Sequence, residues 1–307
     1  MSAYFSIKSK KEGLMYSTYG IEHSIQNIFK LSAPFMEKET ISKIKDLKPA
    51  YLRFLKSIHP NYPIVLNNDL IIRSKTDQKI FQKAFSESKL NDLDQEKMVG
   101  DHYDLNFFEA NAKLINYSIQ QLSIINPELG ELFDLCIHGI LLCDSLRNQD
   151  GKRALGGTSS DCIGLIWLNI KPDMSPFDVI EILVHELTHT LIFLDELVYG
   201  HFDYKHLAKK DFWARSAILK KQRPMDKVLH SMIVSLEILL ARKNYLENID
   251  TRGFFHPPSE ELISALNLTL KSISDHPNLN PVLKPRSVEL LKNVSFQLKE
   301  IEENVSV

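Results

Sequence analysis

One stretch limits the architecture more than any other. From Ser175 to Val198 the chain reads SPFDVIEILVHELTHTLIFLDELV, apolar on almost every side yet interrupted by His185, Glu186 and His189. Ser175 suits a helix N-cap and Pro176 the first helical position, while Asp178 and Glu181 favour the positive end of the dipole. Gly200 marks the stop. A helix that is apolar nearly all round belongs inside a fold, covered on every side. Two imidazoles four residues apart then emerge from one face, about 5–6 Å apart at Cβ. That spacing lets both bind one metal ion, with Glu186 beside the first ligand and within reach of a metal-bound water or a ligand's partner. A single core histidine is usually just hydrogen-bonded. Two on one turn with a Glu between them point to a metal.

Which third ligand completes the set decides the class. The metzincin extension fails, because Ile192 and Asp195 stand where its Gly and His are required. A later helix, HSMIVSLEILLAR, offers His230 and, seven residues on and so on the same face, Glu237. Either can serve as ligand, with the other as its partner. His201 and His206 fall in a polar connection and are expected at the surface. His138 reads as structural, and His23, His59, His102, His256 and His276 have no partner at metal spacing.

Composition excludes several alternatives. The 307 residues carry 37 Lys+Arg against 39 Asp+Glu, without the basic excess that general nucleic-acid binding leaves. Cys136, Cys143 and Cys162 are too few and too scattered for a disulfide framework or a Cys-rich zinc site, and such sparse use fits a reducing cytoplasm. The opening MSAYFSIKSKKEGLMYS has lysines with no apolar stretch behind them, so no secretory leader is expected. The longest apolar runs are interrupted before they reach a membrane span.

Along the chain, residues 37–58 have helical periodicity broken around Pro49. Ile64–Ile72 reads as two short β stretches about an Asn-Asn turn, and residues 76–98 as a polar surface helix. A helix is expected from Asp101 to about Ile125, ended by Asn126-Pro127. The apolar runs Leu132–Leu142 and Cys162–Ile170 read as core strands, and Gly156-Gly157-Thr158 between them as a turn. Pro224 opens a helix to about Leu246, and Pro258–His276 and Val282–Asn304 form an amphipathic pair. Helices and strands mix without regular alternation, so the expected class is α+β, mostly helical, with a small sheet beside the HExxH helix. The expected organisation is an N-terminal region 1–100, a catalytic core 101–256 and a C-terminal helical pair 257–307.

Taken in order, GGTSSDCIGLIWLNI, VHELTHTLIFLDEL and FWARSAILKKQRPMDKVLHSMIVSLEILLAR resemble the HExxH-type peptide-modification proteins of ribosomal peptide natural-product clusters, viewed as 2-oxoglutarate-dependent peptide β-hydroxylases. In that family the HExxH helix is followed by a Trp/Arg segment, an Arg-Pro pair and a helix beginning with His. The matching positions are His185, Glu186 and His189, then Trp213 and Arg215, Arg223-Pro224, and His230. The family's aromatic-Pro-Trp-Arg string is only partly present, as Asp211-Phe212-Trp213-Ala214-Arg215, and Ser231 follows His230 where glycine is frequent.

The resemblance covers roughly 90 of the 307 residues. It implies a catalytic Fe(II) held by His185, His189 and His230, with 2-oxoglutarate and O2 as cosubstrates and a ribosomally made peptide hydroxylated at a side-chain (β) carbon. The distant carboxylate of 2-oxoglutarate needs a fixed cation, for which arginine's planar fork is suited. Arg223 is the first candidate and Arg215 the second, while Glu186 orients a ligand or the iron-bound water. Residues 1–100 are a candidate leader-peptide site. The main alternative is a zinc metallopeptidase with Glu186 as general base and a downstream His or Glu as third ligand. In that case a peptide could pair with a strand in Cys162–Ile170. A third reading is a non-enzymatic partner protein with a vestigial motif.

Overall fold

The central helix starts where its first residues dictate. In the computed structural model, Ser175 Oγ accepts the Asp178 N–H at 3.2 Å and the Asp178 carboxylate accepts the Ser175 N–H at 2.7 Å, a reciprocal capping box. The structure describes residues 16–37, 41–64, 69–86, 99, 105–145, 153–246, 256–277 and 279–305.

In chain order the helices are α1 (Tyr16–Ser32), α2 (Lys48–Ile58), α3 (Lys75–Ser86), α4 (Leu105–Ile125), α5 (Pro127–Cys136), α6 (Pro176–Tyr199), the single turn α7 (Tyr204–Leu207), α8 (Met225–Asn244), α9 (Ser259–Ser274) and α10 (Pro285–Val305). The strands are β1 (Gly139–Leu142), β2 (Gly156–Thr158), β3 (Leu165–Leu168), β4 (Ala214–Arg215) and β5 (Gln222–Arg223). The fold is α+β and mostly helical, as expected. Helix α6 is buried nearly all round and is packed by α8, α4, α1 and β2. It runs antiparallel to α8: Arg242, late in α8, reaches Glu181 near the start of α6, while His230 meets His189.

The small sheet has the order β1-β3-β2, with β1 and β3 parallel and β2 antiparallel to β3. Ile140, Leu142, Ile166 and Leu168 enter the main core, whereas Leu141, Leu165 and Trp167 face a smaller cluster beneath α3. Burial of both faces explains the unbroken apolar runs in these strands. The main core is continuous from Ile25 in α1 to Ile301 in α10, so the N-terminal region and the C-terminal pair share it with the middle of the chain.

Several local expectations differ from this arrangement. Leu132–Cys136 is helical rather than strand, and only Gly139–Leu142 extends. Asn126 does not merely end α4: its side chain accepts the Leu129 N–H at 3.1 Å and, with Pro127 in the first turn, starts α5. An apolar run of that length carries no periodicity to separate the two states. In Cys162–Ile170 the strand is Leu165–Leu168, preceded by a 3-10 turn at Ser160–Cys162. Gly156-Gly157-Thr158 is a strand, not a turn.

Helix α3 is more than a surface cover, because Phe81 and Phe85 fill the smaller cluster. In the stretch Ile64–Ile72, Ile71 makes a single parallel bridge to Ile140, and residues 65–68 lie outside the described set. Residues 1–15, 87–98 and 101–104, on which the leader reading and parts of two helix expectations fall, also lie outside it. Among the described residues no helix is long and apolar enough to cross a membrane.

Candidate metal centre

The two motif histidines do meet. His185 Nε2 and His189 Nε2 lie 3.1 Å apart, on the face of α6 turned toward a cavity of about 200 Å³. A single water needs only about 10–15 Å³ by the same kind of measure, so a small molecule has room beside the imidazoles. The wall includes Gly156, Thr158, Glu186, Arg223, Lys227 and His230. Two imidazole nitrogens at this separation fit adjacent positions on one divalent ion, whose Nε2 bonds run about 2.0–2.1 Å.

His230 comes to the same cavity from α8, but by another route. Its Nδ1 is 2.9 Å from His189 Nδ1, and the two rings are tilted by 21°. It therefore contacts the far nitrogen of His189, not the point where the two Nε2 atoms converge. Among the described residues no three His, Cys, Asp or Glu side chains gather their donors as a ready-made metal site. Glu237 is buried elsewhere. It lies two turns on from His230, about 10 Å along the helix, and it is not in the cavity wall.

Glu186 is 1% exposed. Its Oε1 has no hydrogen-bond partner and stands 3.9 Å from His185 Nε2, while Thr158 Oγ1 donates to its Oε2. Burial pushes this carboxyl up to about 8, the Thr158 bond opposing only in part. Strand β2 sets the position: a Cβ on Gly156 would stand 2.7 Å from Glu186 Oε1. Gly156 thus marks a close approach of backbone to carboxylate, a role hidden behind its turn-like composition.

Of the two candidate arginines, Arg223 is brought to the cavity, in β5 immediately before α8, and is buried. Arg215 is not in the wall; its backbone N–H donates to Ser272 Oγ on α9. Lys227, in the first turn of α8, also lines the cavity, beside Asp226 at 3.0 Å. Burial first, then the charges of Lys227 and Arg223, push His189 down to about 3. Arg223 and Lys227 thus bring two cationic side chains to the cavity wall, Lys227 with Asp226 as its ion-pair partner.

His256 is the site residue that spacing alone could not find. Its Nε2 is 2.8 Å from His185 Nδ1, and its Nδ1 is 2.8 Å from Glu181 Oε1. Seventy-one residues separate it from His185, and the packing of the 256–259 segment against α6 and α8 brings them together. The other histidines among the described residues are placed elsewhere, and His201, expected at the surface, is fully buried. His201 donates to Asp195, His206 pairs with Asp203, His59 accepts the Ile163 N–H, and His138 is buried at the end of β1. The three cysteines are buried, and none lines the cavity. No protein-family model matches this chain, and no curated protein matches its sequence.

Proposed function

We propose that this protein is an Fe(II)- and 2-oxoglutarate-dependent oxygenase that hydroxylates a side-chain carbon of a ribosomally made peptide. The observation that carries the reading is the buried Arg223, with Lys227 a turn away, in the same cavity wall as His185 and His189. An arginine's planar fork beside a pair of imidazoles is the pairing a small dicarboxylate needs: one end at a metal, the other on a fixed fork. The family resemblance carried by His185, Glu186, His189, Arg223 and His230 supports it.

His185 and His189 would hold the ion through Nε2. His230 would be the third ligand after a change of rotamer that takes it off His189. Bound iron with its cosubstrate would supply the oxidation, one oxygen atom of O2 entering a C–H bond while the other converts 2-oxoglutarate to succinate and CO2. The protein's own tasks are then positional. Arg223 would orient the anion, Lys227 would add positive charge, and Glu186 Oε1, 3.9 Å from His185 Nε2, would orient a ligand at the metal. Thr158 fixes that carboxyl by holding its other oxygen.

A second reading, zinc-dependent peptide hydrolysis, is favoured by Glu186 itself. A buried carboxyl raised to about 8, with one oxygen unpartnered beside the ligand pair, is placed as a general base for water. The strand open to a peptide in that case is β2, because β3 is enclosed between β1 and β2.

Anaerobically reconstituted protein given Fe(II), 2-oxoglutarate, O2 and its precursor peptide separates the readings. A gain of one oxygen in the peptide, matched by succinate, is expected. Two peptide fragments without succinate formation would establish the hydrolase instead. Arg223→Met is expected to abolish the visible charge-transfer band that 2-oxoglutarate gives on chelating Fe(II), whereas Arg215→Met keeps it.

A further inference from the structure

Behind His185, on the side away from the cavity, lies a buried sequence of polar contacts that metal ligation alone does not explain. Arg242 donates Nε to Glu181 Oε2 at 2.8 Å and Nη2 to Glu181 Oε1 at 2.9 Å, a two-pronged pair. Glu181 Oε1 also faces His256 Nδ1 at 2.8 Å, and His256 Nε2 faces His185 Nδ1 at 2.8 Å. Arg242 ties the segment carrying His256 as well, donating Nη1 to the Pro257 carbonyl at 2.9 Å. Glu181 and His256 are 3% and 1% exposed, so water does not compete for these groups.

The directions of these bonds follow from what each group can do. A carboxylate only accepts, so the proton between Glu181 and His256 sits on His256 Nδ1. Glu181 is already neutralised by Arg242, and a second buried cation beside that pair would have no counter-charge, so His256 is a neutral imidazole. Its Nε2 is then a lone pair, and the proton in the next contact sits on His185 Nδ1. With that proton placed, His185 Nε2 is a lone pair, turned toward His189 Nε2.

We propose that Glu181 and His256 are positioning residues for the metal centre, which hold His185 in the Nδ1–H tautomer with Nε2 ready to coordinate before any metal arrives. The proposal rests on His185 and His189 being metal ligands, and not on the identity of the metal or of the cosubstrate. Without the relay, His185 can carry its proton on Nε2, and each binding event must first move it. Partners of this kind typically contribute about 10–100-fold to metal affinity.

The test has two arms on the full-length protein. In the metal-free form, long-range ¹H–¹⁵N correlation spectra read each histidine's tautomer; both His185 and His256 are expected as Nδ1–H. In the second arm, Zn(II) affinity is measured by competition with a chromophoric chelator. His256→Phe removes the acceptor and is expected to weaken binding about 10–100-fold, with His185 no longer held in one tautomer. His256→Gln presents an amide oxygen to His185 and an N–H to Glu181, and is expected to restore affinity to within a few-fold of the parent. Should His256→Phe fail to fold, the tautomers of the parent and the affinity of His256→Gln still decide. A proton on His185 Nε2 in the metal-free parent, or unchanged Zn(II) affinity in folded His256→Phe, would overturn the relay. Expected tautomers without Zn(II) binding by the parent would overturn the metal reading on which the proposal rests.

Discussion

Gly156→Ala isolates the placement of Glu186 from everything else in the site. The new Cβ would stand 2.7 Å from Glu186 Oε1, against an ordinary contact of at least 3.4 Å, so the carboxyl must retreat by about 0.7 Å. It cannot do so freely, because Thr158, two residues along the same strand, holds its other oxygen. Misplacing a group that orients the reactants by about 1 Å costs on the order of 100-fold in rate, or about 2.7 kcal/mol of transition-state stabilisation. The fold should hardly notice. Gly156 has no left-handed φ, and its other close neighbours, Leu168 Cδ2 and the Trp167 carbonyl, are both at 3.2 Å. That mild crowding is offset by the about 0.4–1 kcal/mol that alanine gains through a less flexible unfolded chain. Succinate release, Zn(II) affinity and thermal unfolding, measured side by side, should show turnover down about 100-fold with affinity and Tm almost unmoved. Gly157→Ala supplies the contrast: its Cβ would sit 2.3 Å from Trp167 Nε1, a rigid ring in the smaller core, so stability should fall by about 1–3 kcal/mol. Parental turnover in Gly156→Ala, or metal affinity lost together with turnover, would refute the assigned role of β2.

Asp195 in α6 accepts hydrogen bonds from Asn27 (2.9 Å), His201 (2.8 Å) and both Nε and Nη2 of Arg286 (2.9 and 2.7 Å). Asp195→Ala leaves the Arg286 guanidinium buried without its main partner and should cost about 3–5 kcal/mol in urea unfolding. Burial alone would raise the Asp195 carboxyl, but bonds from His201, His23 and Arg286 outweigh it and hold the group well below the usual range. Its contribution is therefore complete above the unfolded value near pH 4 and is lost as pH falls below that, which Asp195→Asn should flatten. Burial likewise pushes His138 down to about 4 from 6.5, so this residue's contribution is complete above about pH 6.5 and drains away toward pH 4. At the acid end that is a loss of at most about 3 kcal/mol, which the unfolding curves of His138→Phe should no longer contain. Thr158→Val removes the one bond that lowers the Glu186 carboxyl and should move the acid limb of the pH–rate profile to higher pH.

What could be read from the sequence was whatever is encoded locally. Ser175, Pro176, Asp178 and Gly200 delimit α6 by chemistry that acts within one turn, and His185 and His189 share a face through the period of the helix. The Arg-Pro at 223–224 and His230 follow from the start of α8. The unread parts are long-range. Glu181 looked like a residue favoured by the helix dipole, but its carboxylate is held by Arg242 and His256, 61 and 75 residues away. Gly156-Gly157 has the composition of a turn, and only the pairing of β2 with β3 makes it a strand that presses on Glu186. Helix α1, with His23 and Asn27 beside Asp195, has no local signature, because its role depends on α6 and α10. The boundary between helix and strand at Leu132–Leu142 failed for a different reason, since burial on all sides erases periodicity in both states.

The seam between α6 and α8 also bears on the third ligand. Metal at the two Nε2 atoms would leave the proton of His189 on Nδ1, facing His230 Nδ1 at 2.9 Å. Two N–H groups cannot share that contact, so His230 must either accept there, carrying its own proton on Nε2, or leave. As acceptor it is a partner that orients His189, just as His256 orients His185. Once departed it is free to become the third ligand. The two roles exclude one another in one ring position, so a single rotamer of His230 separates a centre with two protein ligands from one with three. Glu237 cannot take its place without shifting α8 by two turns against α6, which the Arg242–Glu181 pair opposes.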